Sequence, residues 1–72
     1  MNTLDQPLTP RETEIIGCVA RGLQTKEIAR DLYISPQTVK NHLKAAYEKM
    51  GARNRVEAVL TAARLGLIQL EI

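Results

Sequence analysis

The stretch TKEIARDLYISPQTVKNHL, residues 25–43, decides the fold of this chain. It contains a helix start in its middle, because Ser35 can cap a helix and Pro36 suits the first helical position, where its missing N–H is not needed. The apolar residues around this start have the spacings at which the two helices of a helix-turn-helix unit pack together: Ile28, Ala29, Leu32, Ile34 and Val39. The stretch therefore predicts two helices that meet across a tight turn.

Ala29 is the residue that most favours a helix-turn-helix pair. A small side chain there lets the second helix approach the third closely, which sets the steep angle that pushes the third helix outward. Many helix-turn-helix units place glycine in the turn four residues later, whereas Tyr33 occupies that position here. We therefore expect either a turn of different shape or a tyrosine that tolerates a strained backbone.

Start and stop signals on both sides of this stretch predict two further helices. Thr9 can cap a first helix with Glu12 reaching back to it, and Asn54 can cap a last helix with Glu57 in the same role. Thr25 is the predicted cap of the second helix. The predicted stop residues are glycines: Gly22, Gly51 and Gly66. Since no strand signals occur, the fold class is all-α, a compact four-helix helix-turn-helix domain with helices over about residues 10–21, 25–33, 36–50 and 54–66.

Composition limits the size and the class of the protein. A chain of 72 residues fits one domain with one small core, which we assign to residues 8–72, with residues 1–7 as a flexible lead-in or linker remnant. A single cysteine, Cys18, and a single histidine, His42, exclude an internal disulfide and an ordinary zinc site, so no cofactor or metal is expected. No catalytic constellation is visible, so we predict no enzyme. Without a long apolar run or a signal peptide, the expected compartment is the cytoplasm, with no membrane partner.

The third predicted helix has one apolar face and one polar face. At about 100° per residue, the apolar face carries Val39, Leu43, Ala46, Tyr47 and Met50. The opposite face carries Gln37, Lys40, Asn41, Lys44 and Glu48. Lysine can donate to guanine and asparagine can pair with adenine, so these residue types suit readout of a major groove. By itself, such a lysine face is more often merely solvated, and a net charge of +2 adds little.

Ordered motifs along most of the chain carry a family resemblance. They are LTPRE (8–12), EI (14–15), Gly22, TKEIA (25–29), Leu32, ISPQTVKNH (34–42), KMG (49–51), NR (54–55), EAV (57–59) and GLI (66–68). In this order they resemble the LuxR-type (GerE-like) helix-turn-helix domain, found at the C-terminus of many bacterial response regulators and quorum-sensing receptors. The resemblance implies a sequence-specific transcription regulator that binds double-stranded DNA. The chain is then a stand-alone regulator or the C-terminal part of a longer one.

The resemblance also implies roles for individual residues. The residues that would face base edges are Lys40, Asn41 and Lys44. The residues that would hold the DNA backbone are Thr25, Lys26 and Thr38. Gln37, from the exposed face of the third helix, is added to this set. RNA polymerase is a further partner that such a regulator can contact.

The fourth predicted helix has two apolar stripes, which is more apolar surface than one small core can cover. One stripe is Val56, Leu60 and Ala63, and the other is Ala58, Val59, Ala62 and Leu65. The resemblance implies that the first stripe forms a homodimer, with Val56 and Leu60 at the matching positions, and it leaves Ala58, Val59 and Ala62 for the core. Two recognition helices would then meet an inverted-repeat operator with half-sites roughly 34 Å apart. The alternative is that the first helix and the C-terminal tail bury both stripes.

A rival function is a helical protein–protein interaction module without specific DNA binding. In that case the fourth helix docks a protein partner, and the basic face only keeps the domain soluble.

Overall fold

The computed structural model describes residues 8–69, which form four helices: α1 (Pro10–Ala20), α2 (Thr25–Leu32), α3 (Pro36–Met50) and α4 (Arg55–Arg64). The predicted all-α, four-helix fold is confirmed. The helix bounds agree with the predicted ones to within two residues. The predicted lead-in, residues 1–7, lies outside the described residues. None of the helices between residues 8 and 69 is long and apolar enough to span a lipid bilayer.

Three of the four predicted N-caps are confirmed. The side chains of Thr9, Ser35 and Asn54 each accept a hydrogen bond from an amide in the first turn of the following helix. At α1 the bond is reciprocal, because the amide of Thr9 donates to Oε1 of Glu12 at 2.9 Å. These bonds satisfy amides that have no partner within a helix, so each start is fixed at the predicted residue.

The cap predicted for α2 was wrong. Thr25 is already helical, and the residue with extended backbone before it is Gln24. The amide of Gln24 donates to Oε1 of Glu27 at 2.6 Å. Glu27 lies three residues after Gln24 and so can accept from its amide, which makes Gln24 the cap residue. Glu57 also differs from expectation, since it accepts from the amide of Arg53 at 2.9 Å and not from the cap residue of α4.

All four helices end on the same motif. A residue in left-handed conformation follows each helix, and its amide and the next amide bond back to carbonyls of the last turn; these residues are Gly22, Tyr33, Gly51 and Gly66. After α2, Tyr33 has φ 59° and its amide donates to Arg30 at 3.3 Å, while the amide of Ile34 donates to Ala29 at 3.0 Å. Tyr33 is the only non-glycine residue with positive φ between residues 8 and 69. The turn thus keeps a common shape, and the tyrosine accepts the strain.

Replacing Tyr33 with glycine is expected to stabilise the domain. A left-handed backbone costs an L-residue about 1–2 kcal/mol, whereas glycine adopts it freely and loses roughly 0.5–1 kcal/mol through its more flexible unfolded chain. The tyrosine side chain is 94% exposed and gives up little packing. We expect Tyr33→Gly to raise the free energy of unfolding by about 0.5–1 kcal/mol, measured by urea denaturation. Tyr33→Ala, the matched control, removes the ring but keeps the strain; a Gly variant no more stable than it would contradict this account.

The core consists of two clusters that share α3. The buried residues of the first cluster are Ile15, Cys18, Val19, Ile28, Ala29 and Val39. Those of the second are Ile16, Ala46, Met50, Ala58 and Ala62. Leu43 packs against both clusters. Both α1 and α3 contribute buried residues to each cluster. The predicted apolar face of α3 is thus confirmed as part of the core, and Ala29 is buried as predicted.

One carboxylate is buried beside this core and joins α1 to α3. Glu12 is 5% exposed and accepts from Nζ of Lys49 at 2.8 Å and from the amide of Thr9 at 2.9 Å. Burial alone would raise the pKa of Glu12, but donation from Lys49 and Thr9 outweighs it, so the pKa lies below its ordinary value. The ionised carboxylate therefore locks the start of α1 to the end of α3.

Candidate nucleic-acid interface

The polar face of α3 is fully open to solvent. All five residues that the sequence assigned to it are exposed: Gln37, Lys40, Asn41, Lys44 and Glu48. On the opposite side of the same helix, Val39 and Ala46 are buried. Because one face is held by the core, the other presents its side chains on a rigid helix.

Two residues of this face are hydrogen-bonded to each other. Nε2 of Gln37 donates to Oδ1 of Asn41 at 3.0 Å, one helical turn further along α3. The roles predicted for them, a base contact for Asn41 and a backbone contact for Gln37, did not include this bond. The spacing of four positions, at which helical side chains are neighbours, is the signal that could have found it.

The starts of α2 and α3 carry the residues predicted to hold phosphates. Thr25, half-buried, and Lys26, exposed, are the first two residues of α2. Thr38 is half-buried in the first turn of α3, where its hydroxyl lies 2.8 Å from Oγ of Ser35. A hydroxyl can donate one hydrogen bond and accept two, so this bond leaves Thr38 able to make further ones. Helix starts also carry partial positive charge, which favours anions.

Among the residues that the structure describes, no carboxylate forms an ion pair with three lysines near these elements. The ion pairs found between residues 8 and 69 are Arg11–Glu14, Glu12–Lys49 and Arg53–Glu57. None of them involves Lys26, Lys40 or Lys44, and the last two of these lie one turn apart on α3. A nearby carboxylate would compete with a phosphate for such a lysine, so the absence of one leaves all three able to neutralise an anion.

A contact that the sequence does not signal connects α4 to the start of α2. Nη1 of Arg55, the first residue of α4, donates to the carbonyl of Leu23 at 3.2 Å. Leu23 lies two residues before α2, and the two partners are 32 positions apart in the chain. No local spacing could have indicated this pair. The bond fixes the segment that leads into α2 against the beginning of α4.

The outer face of α4 is apolar and uncovered in the single chain. Val56 is 64% exposed and Leu60 is 55% exposed, whereas Ala58 and Ala62 are completely buried. The two stripes therefore separate as expected, with Ala63 half-buried at the edge of the outer one. Leu65, which was not among the residues expected in the core, follows the last turn of α4 and is 40% exposed. A groove of about 370 Å³ adjoins Leu60 and is lined by Met50, Gly51, Glu57, Thr61 and Arg64.

Comparison with known sequences identifies a single family over most of the chain. Residues 6–62 match the family described as GerE, bacterial regulatory proteins, luxR family. The spore germination protein GerE of Bacillus subtilis is 41% identical over 63 residues, which are 88% of this chain and 85% of GerE. A putative HTH-type transcriptional regulator of Mycobacterium bovis, Mb0914c, is 46% identical over 59 residues, or 82% of this chain. The matched part is only 7% of that longer protein.

Solved structures agree with this assignment. The structure of the transcription factor GerE superimposes with a TM-score of 0.84 at 39% identity, covering 92% of this chain and 100% of GerE. A complex of Vibrio cholera VqmA with ligand and DNA superimposes with a TM-score of 0.78 at 28% identity, covering 93% of this chain and 29% of VqmA. The fold, the helix-turn-helix geometry and the sequence match lead to one conclusion: the chain belongs to the luxR family of bacterial regulatory proteins and forms its GerE-type helix-turn-helix DNA-binding domain.

Proposed function

We propose that this domain binds operator DNA as a two-fold dimer, with the exposed face of α3 in the major groove. The observation that carries the proposal is a polar helix face with unpaired lysines, held rigid from behind by both core clusters. Such a face can enter a groove without rearrangement of the helix, so little backbone conformational entropy is lost on binding. The residues assigned to base edges are Lys40, Asn41 and Lys44.

The starts of α2 and α3 serve as phosphate clamps in this proposal. Backbone amides at a helix start attract anions, and an exposed lysine beside them adds a full positive charge. The residues assigned to the DNA backbone are Thr25, Lys26, Thr38 and Gln37. Contacts of this kind fix the register of α3 in the groove, while base contacts supply the sequence preference.

The apolar outer face of α4 is the proposed dimer interface. Exposed Val56 and Leu60 support it, because two large apolar side chains on one helix face are more stable when a partner covers them. Ala63 at the edge of the stripe allows close approach of a second helix. A two-fold axis through this face presents two copies of α3 to half-sites roughly 10 base pairs apart. Contact with RNA polymerase stays a prediction of the family resemblance.

Selection of bound sequences from a random duplex pool tests the proposal directly. We expect an inverted repeat whose half-sites are separated by about one helical turn. A short asymmetric site would contradict the dimer, and a pool without enrichment would contradict sequence-specific binding.

Alanine substitutions at Lys26 and Asn41 are expected to separate phosphate contacts from base contacts. Lys26→Ala should weaken binding to operator and random duplexes equally and lower the salt slope by about 0.9. Asn41→Ala should relax the preference at one base step by roughly 1–3 kcal/mol. Fluorescence anisotropy titrations at several salt concentrations measure both effects. Arg11→Ala, which removes a charge from α1, is the control for net charge; an equal loss for all three variants would contradict the assignments.

A protein-docking module is the second candidate, and the exposed stripe of α4 is the observation that favours it. Salt dependence separates the two candidates. DNA binding should weaken steeply with salt, because each neutralised phosphate releases counterions. Apolar docking through Val56 and Leu60 should barely respond to salt.

A further inference from the structure

We propose that Gln37 determines which hydrogen-bonding group Asn41 presents to the DNA, and so acts as a specificity-determining residue. The inference rests on the proposed placement of α3 in the major groove. It gives Gln37 a role different from the phosphate contact assigned above, because the bond to Asn41 points its amide group along α3.

The bond between the two amides fixes their orientations relative to each other. Nε2 of Gln37 donates to Oδ1 of Asn41 at 3.0 Å, and both side chains are exposed. A side-chain amide carries one acceptor oxygen and one donor NH₂ group. The oxygen and the NH₂ group of an amide point in different directions, so Asn41, with its oxygen turned toward Gln37, has its NH₂ group turned away from Gln37 to meet a base. The pair thus turns Asn41 into a donor.

The dipole of α3 favours donation from Gln37 to Asn41 over donation from Asn41 to Gln37. Gln37 is the second residue of α3, close to the positive end of the helix. That end attracts the amide oxygen of Gln37, which leaves its NH₂ group to face the next turn and Asn41. In water the hydrogen bond between the two amides contributes little stability. In a groove that excludes water, an amide that turned the wrong group toward its partner would lose a hydrogen bond outright.

A donor at position 41 has a definite preference among bases. Guanine, adenine and thymine each offer an acceptor at the edge in the major groove, whereas cytosine offers only a donor. We therefore expect the wild-type domain to disfavour cytosine at this step by about tenfold. An asparagine free to present both of its groups would instead prefer adenine, with which it pairs through two hydrogen bonds.

The Gln37→Glu variant tests the inference. An ionised carboxylate only accepts, so Asn41 must turn its NH₂ group toward it and present Oδ1 to the base. The preference should then reverse, with cytosine or adenine, which offer donors, bound about tenfold more tightly than thymine. The measurement compares four duplexes that differ only at the base pair relaxed by Asn41→Ala. A glutamate in the first turn of a helix favours folding, so the variant is expected to fold.

Matched variants make the result decisive. The added negative charge weakens binding to all four duplexes equally and cancels in their ratios. Gln37→Ala frees both groups of the Asn41 amide and should shift the preference at this base step toward adenine. Gln37→Glu combined with Asn41→Ala should show no reversal. The inference is overturned by an unchanged order in Gln37→Glu, or by a uniform loss over the four duplexes in Gln37→Ala.

Failure of this inference differs from failure of the proposed function. If the wild type and Asn41→Ala behave as proposed while Gln37→Glu keeps the wild-type order, only the role of Gln37 is wrong. If the wild type binds operator and random duplexes equally, α3 does not read DNA and the inference falls with the proposed function.

Discussion

A single charged substitution, Leu60→Asp, is expected to lower affinity for a full inverted-repeat operator roughly a thousandfold while the monomer stays folded. An apolar side chain central to an interface is worth about 2 kcal/mol or more, and a two-fold dimer contains Leu60 twice. The combined loss of about 4 kcal/mol corresponds to nearly three factors of ten in affinity. Folding should survive because the side chain is already 55% exposed in the single chain.

Two controls separate loss of the dimer from repulsion of the DNA. Leu60→Gln removes the apolar contact without adding negative charge, and it should weaken binding to the full operator by at least a hundredfold. Neither variant should change affinity for a single half-site, where no partner is needed. Anisotropy titrations, with sedimentation of the free protein, measure these quantities. Unfolding of both variants would place Leu60 in the core, and an effect of Leu60→Asp alone would point to charge repulsion.

Removal of the buried carboxylate, Glu12→Ala, is expected to lower the free energy of unfolding substantially. The substitution breaks the ion pair with Lys49 and removes the acceptor for the amide of Thr9. Breaking a buried pair costs about 3–5 kcal/mol, and partial exposure of Lys49 reduces this to an expected 2–3 kcal/mol. A domain of this length has only about 4–10 kcal/mol in total.

Urea denaturation at neutral pH measures this loss, and Glu14 on the same helix supplies the control. Glu14 pairs with Arg11 at 3.4 Å, but both side chains are well exposed to solvent. Glu14→Ala should therefore change the free energy of unfolding by less than about 0.5 kcal/mol. Equal effects of the two substitutions would show that burial of Glu12 contributes nothing.

The same ion pair makes part of the stability depend on pH. Because the pKa of Glu12 is lowered in the folded state, its contribution is present above the unfolded value of about 4.3 and is lost as pH falls through the folded value. We expect Glu12→Gln, which keeps the shape but not the charge, to differ from the wild type at pH 7 and to differ progressively less as the pH falls below the unfolded value. A constant difference across this range would contradict the ionic origin of the stabilisation.

Local features of the fold could be predicted from sequence because their causes are local. The caps at Thr9, Ser35 and Asn54 depend on residues within one turn, and the buried face of α3 follows from helical periodicity. The misplaced cap of α2 is instructive, since threonine is a better cap residue than glutamine in isolation. The hydrogen bond from the amide of Gln24 to Glu27 decided in favour of Gln24.

Contacts between distant residues could not be predicted in this way. Arg55 meets Leu23 across 32 positions, and Lys49 meets Glu12 across 37. Both pairs exist only after the helices have packed, so no spacing in the sequence indicates them. The exposed polar face of α3 was predictable, whereas its internal bond between Gln37 and Asn41 needed the rotamers of both side chains.

The buried face and the exposed face of α3 use different positions of the helix, and this separation affects how the domain can evolve. Val39, Leu43 and Ala46 pack in the core clusters, so mutations at these positions lower the free energy of unfolding. Exposed residues such as Lys40 and Asn41 are not part of the core. In the proposed binding mode, new operator preferences can therefore arise by exchange of a few surface side chains, one at a time, without loss of the fold.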